Sequence, residues 1–276
     1  MGTNPSTPPL LIPHIHLLCM HKPASDAFTQ ALSEYGVSSS SSPSSSPSSS
    51  KLHYTIHNTF LSDLPGSLHF DLVVSPANSY GILDGGFDDA ISRAFSPQDA
   101  YGALTRAAQR ELYRQGHMGY LPPGGCCLVP IPEAFKGQLR YHDGQGWGCR
   151  YLALCPTMRV PAPCGWDRDV VYECVWSLLC AIDRHNNDGG SGGVAGEGRA
   201  AVAGEEDTPP SSKIESVLMT PLGTGAGGIS DEKWAKQAVL AIKHWMDAKQ
   251  NPEKWSAMNW EGARDIDKEL RVTHKA

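Results

Sequence analysis

The chain has 276 residues, a formal charge of -6 and a pI near 6.0, a balance that disfavours broad electrostatic binding to nucleic acid. Its apolar runs are far shorter than the ~20 residues of a membrane-spanning helix, and its first residues lack the basic and apolar segments of a secretory signal, so an intracellular place, cytoplasmic or nuclear, is expected. Hydrophobic residues make up 40% of the chain, enough for a packed core.

In chain order, Gly2 and Ser6 satisfy the minimal myristoylation pattern. Residues 10–20 read as a strand broken early by Pro13, and 24–35 as a short helix. A serine tract over about 36–51 is expected to be a disordered insert. Residues 52–57 alternate apolar and polar, as a strand does. Residues 70–75 are a continuous apolar run, typical of a strand covered on both faces. Helices are predicted over 86–95 and 100–115, the second stopped by Gly116. Strands follow over 126–131 and 150–156, then an amphipathic helix over 167–184. A second disordered insert is expected over about 186–212, then a buried strand over 214–220. Ser230 is the expected N-cap of a helix over 230–246. The C-terminal extension, 249–276, is charged and expected to pack as a short helix. Strands alternating with helices predict one domain over 1–276, with a mixed or parallel sheet and helices on both faces.

Eight cysteines are present without Cys-x-x-Cys spacing, and His14, His16, His53, His57, His69 and His142 show no ligand spacing. Reduced buried thiols and no metal site are the expectation. Trp147, Trp166, Trp176 and Trp234 are expected to pack in the core or under loops.

Two glycine-rich turns, each after an apolar run, carry the functional signal. The first is Ser75-Pro-Ala77-Asn78-Ser-Tyr-Gly-Ile-Leu-Asp84-Gly85-Gly86-Phe87-Asp88, and the second is Pro221-Leu-Gly223-Thr224-Gly225-Ala226-Gly227-Gly228. Both are expected to run into a helix, whose free N–H groups and positive dipole end suit phosphate. Two such turns on one sheet point to a pyrophosphate or several phosphates. The second matches Gly-x-Gly-x-x-Gly, but Asp247, at the spacing of a ribose-reading acid, closes a helix, and no strand follows. Neither turn contains Gly-Lys-Ser/Thr, which disfavours P-loop chemistry.

Four segments, in family order over about residues 52–247, resemble the macro domain. They are Phe70-Asp-Leu-Val-Val-Ser-Pro-Ala-Asn78, Gly85-Gly-Phe-Asp-Asp-Ala-Ile91, Tyr151-Leu-Ala-Leu-Cys-Pro-Thr-Met-Arg-Val-Pro161 and Pro221-Leu-Gly-Thr-Gly-Ala-Gly-Gly228. The third is similar to a fungal and bacterial branch. The resemblance implies a three-layer α/β/α macro domain with a central mixed sheet. As a monomer without cofactor or metal, it would bind ADP-ribose or an ADP-ribosylated macromolecule.

The resemblance also implies roles. Asn78 would hydrogen-bond the outer ribose, unless its amide closes a local Asx turn. Ala77, Gly85, Gly86 and Phe87 would meet the ligand. Asp88 would activate or orient water, unless it is an ordinary first-turn acid. Gly223, Thr224, Gly225, Ala226 and Gly227 would wrap the diphosphate. Asn58 stands where many members carry an adenine-reading Asp, Ser75 stands at the first asparagine of the usual pair, and Asp84 replaces a glycine. The aromatic residue common in the second loop is missing. A carboxylate at position 84 would repel phosphate or serve as a second acid. The activity implied is hydrolysis of an ADP-ribosyl bond or of ADP-ribose 1''-phosphate. A non-catalytic reader and a scaffold with a degraded pocket are the rivals.

Overall fold

The computed structural model describes residues 12–40, 51–187 and 213–276. Gly2, Ser6 and most of both low-complexity inserts lie outside the described residues. The elements are β1 (His14–Leu18), α1 (Lys22–Glu34), β2 (Ser39–Ser40), β3 (Leu52–His57), β4 (Leu72–Ser75), α2 (Phe87–Phe95), α3 (Ala103–Leu112), β5 (Cys127–Pro130), β6 (Tyr151–Leu154), α4 (Val170–Asn187), β7 (Ser216–Met219), α5 (Asp231–Gln250), α6 (Pro252–Ser256) and α7 (Trp260–Val272).

The described strands form one sheet in the order β2-β3-β1-β7-β4-β6-β5. All neighbours run parallel except β5, which pairs antiparallel with β6 at an edge. The sheet is therefore mixed, as its alternating pattern predicts. β4 lies in its middle and is buried throughout, which explains its unbroken apolar run.

Alternation of side chains along the strands divides the core into two layers. Ile15, Leu17, Leu72, Val74, Val217 and Met219 face one way and pack with Phe28 of α1, Val171 and Leu178 of α4, and Trp234 and Val239 of α5. Leu18, Val73, Leu152 and Leu218 face the other way and meet Ile91 and Phe95 of α2 and Leu104 and Ala108 of α3. The result is a three-layer α/β/α fold.

Asp71 locks the strands at their entry. Its Oδ2 accepts from the backbone N–H of Glu215 and Ser216, each at 2.9 Å, and from Ser216 Oγ at 2.8 Å. Its Oδ1 takes Arg150 Nη2 at 2.6 Å. One buried carboxylate thus joins the starts of β4, β6 and β7.

Several elements depart from the sequence reading. α1 begins at Lys22, because Pro23 fits the first turn, where its missing N–H costs nothing. α3 ends at Leu112 and widens into a π-turn over Tyr113–His117, which Gly116 closes at φ 86°. Ser39–Ser40, inside the serine tract, adds a short parallel strand to β3, and α4 runs on to Asn187. The extension forms two helices rather than one. Trp255 stacks on Trp176 with centroids 5.3 Å apart, and Gln237 Nε2 donates to buried Thr273 at 3.0 Å. Trp147 and Trp234 are buried, whereas Trp166 is 65% exposed and packs in no core.

Parallel pairing of β1 with β3 gathers three of the histidines. His14 and His16 share one face with ring centroids 4.4 Å apart, and His16 Nδ1 lies 3.2 Å from His57 Nε2. Burial, then mutual repulsion, lowers His16 to about 4. Among the described residues no group of three or more His, Cys, Asp or Glu is placed to hold a metal. All eight cysteines are free, and six are buried. No described helix is long and apolar enough to cross a membrane.

Candidate functional site

A cavity of about 780 Å³ opens beyond the carboxyl ends of the parallel strands, where ligands of such sheets bind. Met20 follows β1, Phe60 follows β3, Pro76 to Asn78 follow β4, Thr157 and Met158 follow β6, and Thr220 to Gly227 follow β7. A single parallel bridge between Asn78 and Met158 ties two of these walls together.

The first glycine turn ends at α2, with Gly86 as the N-cap at φ 57°, a conformation that strains any residue with a Cβ. The loop before it is anchored from both sides. Ser92 Oγ donates to Leu83 O, and Leu83 N donates to Thr105 Oγ1 at 3.2 Å. Gly85, Gly86 and Phe87 donate no backbone N–H to any described protein acceptor.

The second turn closes on itself. Ile229 N donates to Gly223 O at 3.1 Å and Gly228 N to Gly225 O at 3.0 Å, so the backbone N–H groups of Gly223 to Gly227 are left without described protein acceptors. Gly223 sits at φ 73°, where a Cβ would lie 2.7 Å from Ile229 Cδ1. This turn leads through Ile229 to the N-cap Ser230, where the sequence reading places the start of the helix. α5 starts only at Asp231, and Ser230 Oγ accepts from Lys233 N at 3.1 Å, so the helix caps its own end. The donors on this side come from the loop alone.

Asp88 projects from the first turn of α2 and is only 7% exposed. Ser75 Oγ, at the end of β4, donates to its Oδ1 at 2.6 Å, while Oδ2 accepts no hydrogen bond from a described residue. Burial drives the carboxyl up to about 7; the Ser75 hydrogen bond opposes this, and the charge of Asp84 adds to it. Asp88 is therefore not an ordinary exposed first-turn acid.

Most of the residues singled out in the sequence line this cavity: Ala77, Asn78, Asp84, Gly85, Gly86, Phe87, Asp88, Gly223, Thr224, Gly225, Ala226 and Gly227. Two are placed differently from the rest. Asn58 does not line it; its side chain turns back to α1, where Oδ1 accepts from Ser25 Oγ at 3.0 Å. Phe60, two residues on and 59% exposed, takes that wall instead. Asn78 lines the cavity, but its amide closes its own turn. Nδ2 donates to Ile82 O at 2.6 Å, and Oδ1 accepts from the N–H of Tyr80 and Ile82 at 3.1 and 3.3 Å. The Asx-turn alternative thus describes Asn78 here, with one N–H left over.

Sequence reasoning missed other lining residues. Thr157 is fully buried, and its Oγ1 has no hydrogen-bond partner among the described residues. Arg93 is the one guanidinium among the described lining residues, and His21 lines the cavity beside it. Arg93 Nε holds Asp89 Oδ2 at 2.8 Å, and His21 Nε2 lies 3.1 Å from Asp231 Oδ2. Thr157 stands in the strand-and-loop segment quoted above, whereas Arg93 and His21 carry no local signal, because the fold alone brings them to the cavity.

Comparison with known proteins adds structural likeness. A mutant of the Oceanobacillus iheyensis macrodomain, solved with ADPR, is 15% identical, with 65% of this chain and 73% of that one covered and a TM-score of 0.42. The same macrodomain solved with ADP is 16% identical, covers 65% and 72%, and has a TM-score of 0.42. No protein-family model and no curated protein matches the chain.

Proposed function

We propose that the protein is a macro-type module that binds ADP-ribose and hydrolyses the bond joining its outer ribose to an acceptor. One observation carries the reading: two sets of free backbone N–H groups, at Gly85–Phe87 and Gly223–Gly227, line a single cavity that also holds a buried carboxyl. Backbone dipoles of this kind form an anion cradle without cationic side chains, and two sets suit a diphosphate. The apolar wall at Met20, Phe60 and Leu61 suits a base. The ordered motif resemblance selects ADP-ribose among diphosphates.

Asp88 supplies the chemistry. A general base works best with a pKa near the working pH, and burial places Asp88 there. Ser75 fixes Oδ1, leaving Oδ2 to accept a proton from water. The water oxygen bonds to the anomeric carbon of the outer ribose, and the bond from that carbon to the acceptor breaks. The proton taken by Asp88 then passes to the departing acceptor.

The engaged amide of Asn78 supports a second reading, a binder that leaves the bond intact. Release of ADP-ribose from ADP-ribosylated protein separates the two. Asp88→Asn is expected to slow release about a hundredfold or more and to change ADP-ribose affinity only a few-fold. Unaltered turnover in that variant would overturn the base role, and no release by the unaltered protein would favour the binder.

A further inference from the structure

The cavity combines two neutral anion cradles with an acidic wall. Asp84, Asp88 and Asp89 all line it. Asp84 is exposed and lines the same cavity as Asp88, whose carboxyl its charge pushes up. Asp89 is held ionised by Arg93 and by Tyr101, whose OH donates to Oδ1 at 2.7 Å. Arg93 Nε is thereby held by Asp89, and His21 Nε2 lies 3.1 Å from Asp231 Oδ2. No lysine and no further arginine is in the lining. Backbone N–H groups suffice for the two phosphates of a diphosphate, each with one negative charge. A phosphate monoester is close to a dianion at neutral pH, and here it meets three carboxyl groups against one guanidinium, whose Nε already holds Asp89.

We propose that this site accepts a diphosphate whose outer ribose carries no phosphate, and that Asp84 enforces the limit. The inference rests on the ADP-ribose reading and deepens it. The substrate class becomes ADP-ribosyl groups on an uncharged or cationic acceptor, and the phosphate ester of the outer ribose is excluded. The reaction is then cleavage of a glycosidic bond rather than removal of a phosphate. An acidic wall discriminates by repulsion while the cradle stays the same.

The test compares ADP-ribose with ADP-ribose 1''-phosphate by calorimetric titration of the full chain at pH 7.5 and low salt. ADP-ribose is expected to bind at least tenfold more tightly. Asp84→Asn, at an exposed position, is expected to narrow that ratio at least threefold, and added salt is expected to narrow it in the unaltered protein. Equal or tighter binding of the 1''-phosphate would overturn the inference while leaving the ADP-ribose reading intact. A ratio unchanged in Asp84→Asn would remove Asp84 as its source and so overturn the inference as stated. Failure of both ligands to bind would overturn the ADP-ribose reading itself, and this inference with it.

Discussion

Burial and the neighbouring Asp84 push the Asp88 carboxyl up to about 7, whereas in an unfolded chain it titrates near about 4. Between those values the folded protein keeps a proton that the unfolded chain has released, so stability falls as pH rises through the window. At about 1.4 kcal/mol per pKa unit, the ceiling on this cost is roughly 4 kcal/mol above pH 7. Asp88→Asn removes the ionisation and retains an acceptor for Ser75. It is expected to melt higher than the unaltered protein at pH 8, with the advantage shrinking toward pH 4. Calorimetric melting across that range checks this, and identical melting at pH 8 would contradict the buried-carboxyl account. His16, lowered to about 4, contributes in the opposite direction, since its stabilising effect is lost as pH falls below about 6.5. The difference between the two proteins isolates Asp88. An acid that weakens its own fold at neutral pH is what a site retained for chemistry looks like.

At the scale of elements, the entry to β4 is as demanding as its exit. Asp71 stands near the start of the segment that ends at Asn78, yet it lies at the opposite end of the strand from the cavity and joins Arg150, Glu215 and Ser216. Asp71→Ala leaves a guanidinium and two backbone N–H groups without their acceptor, and is expected to cost about 3 kcal/mol. Denaturant unfolding measures it, and a change under 1 kcal/mol would contradict this role. The strands were legible because covered strands are apolar on both faces, as Leu72–Ser75 shows. The two glycine turns were legible because positive φ at Gly86 and Gly223 demands glycine. Element ends were less so. The run of α4 to Asn187 and the two-helix extension depend on packing partners that no local pattern announces. Asn58 misled for a similar reason, since its partner Ser25 is 33 residues away.

For the whole molecule, parallel pairing brings the ends of β1, β3, β4, β6 and β7 to one side, so chain segments from Met20 to Gly227 meet in one cavity. Motif order revealed the glycine turns and Asp88. Three-dimensional pairing was needed for His21 with Asp231 and for the buried Thr157 hydroxyl in the cavity wall. The extension, with Trp255 on Trp176 and Lys243 Nζ 2.6 Å from Glu269 Oε2, braces the helical layer that backs β7. The central claim is that the loop after β7 holds a diphosphate. A Cβ at Gly225 would meet nothing within 4 Å, so Gly225→Glu places a charged side chain in the cavity while preserving the fold. Calorimetric titration with ADP-ribose should give a micromolar Kd for the unaltered protein, about -8 kcal/mol, and no measurable heat for Gly225→Glu. Absence of binding by the unaltered protein, or equal binding by the variant, would contradict the account.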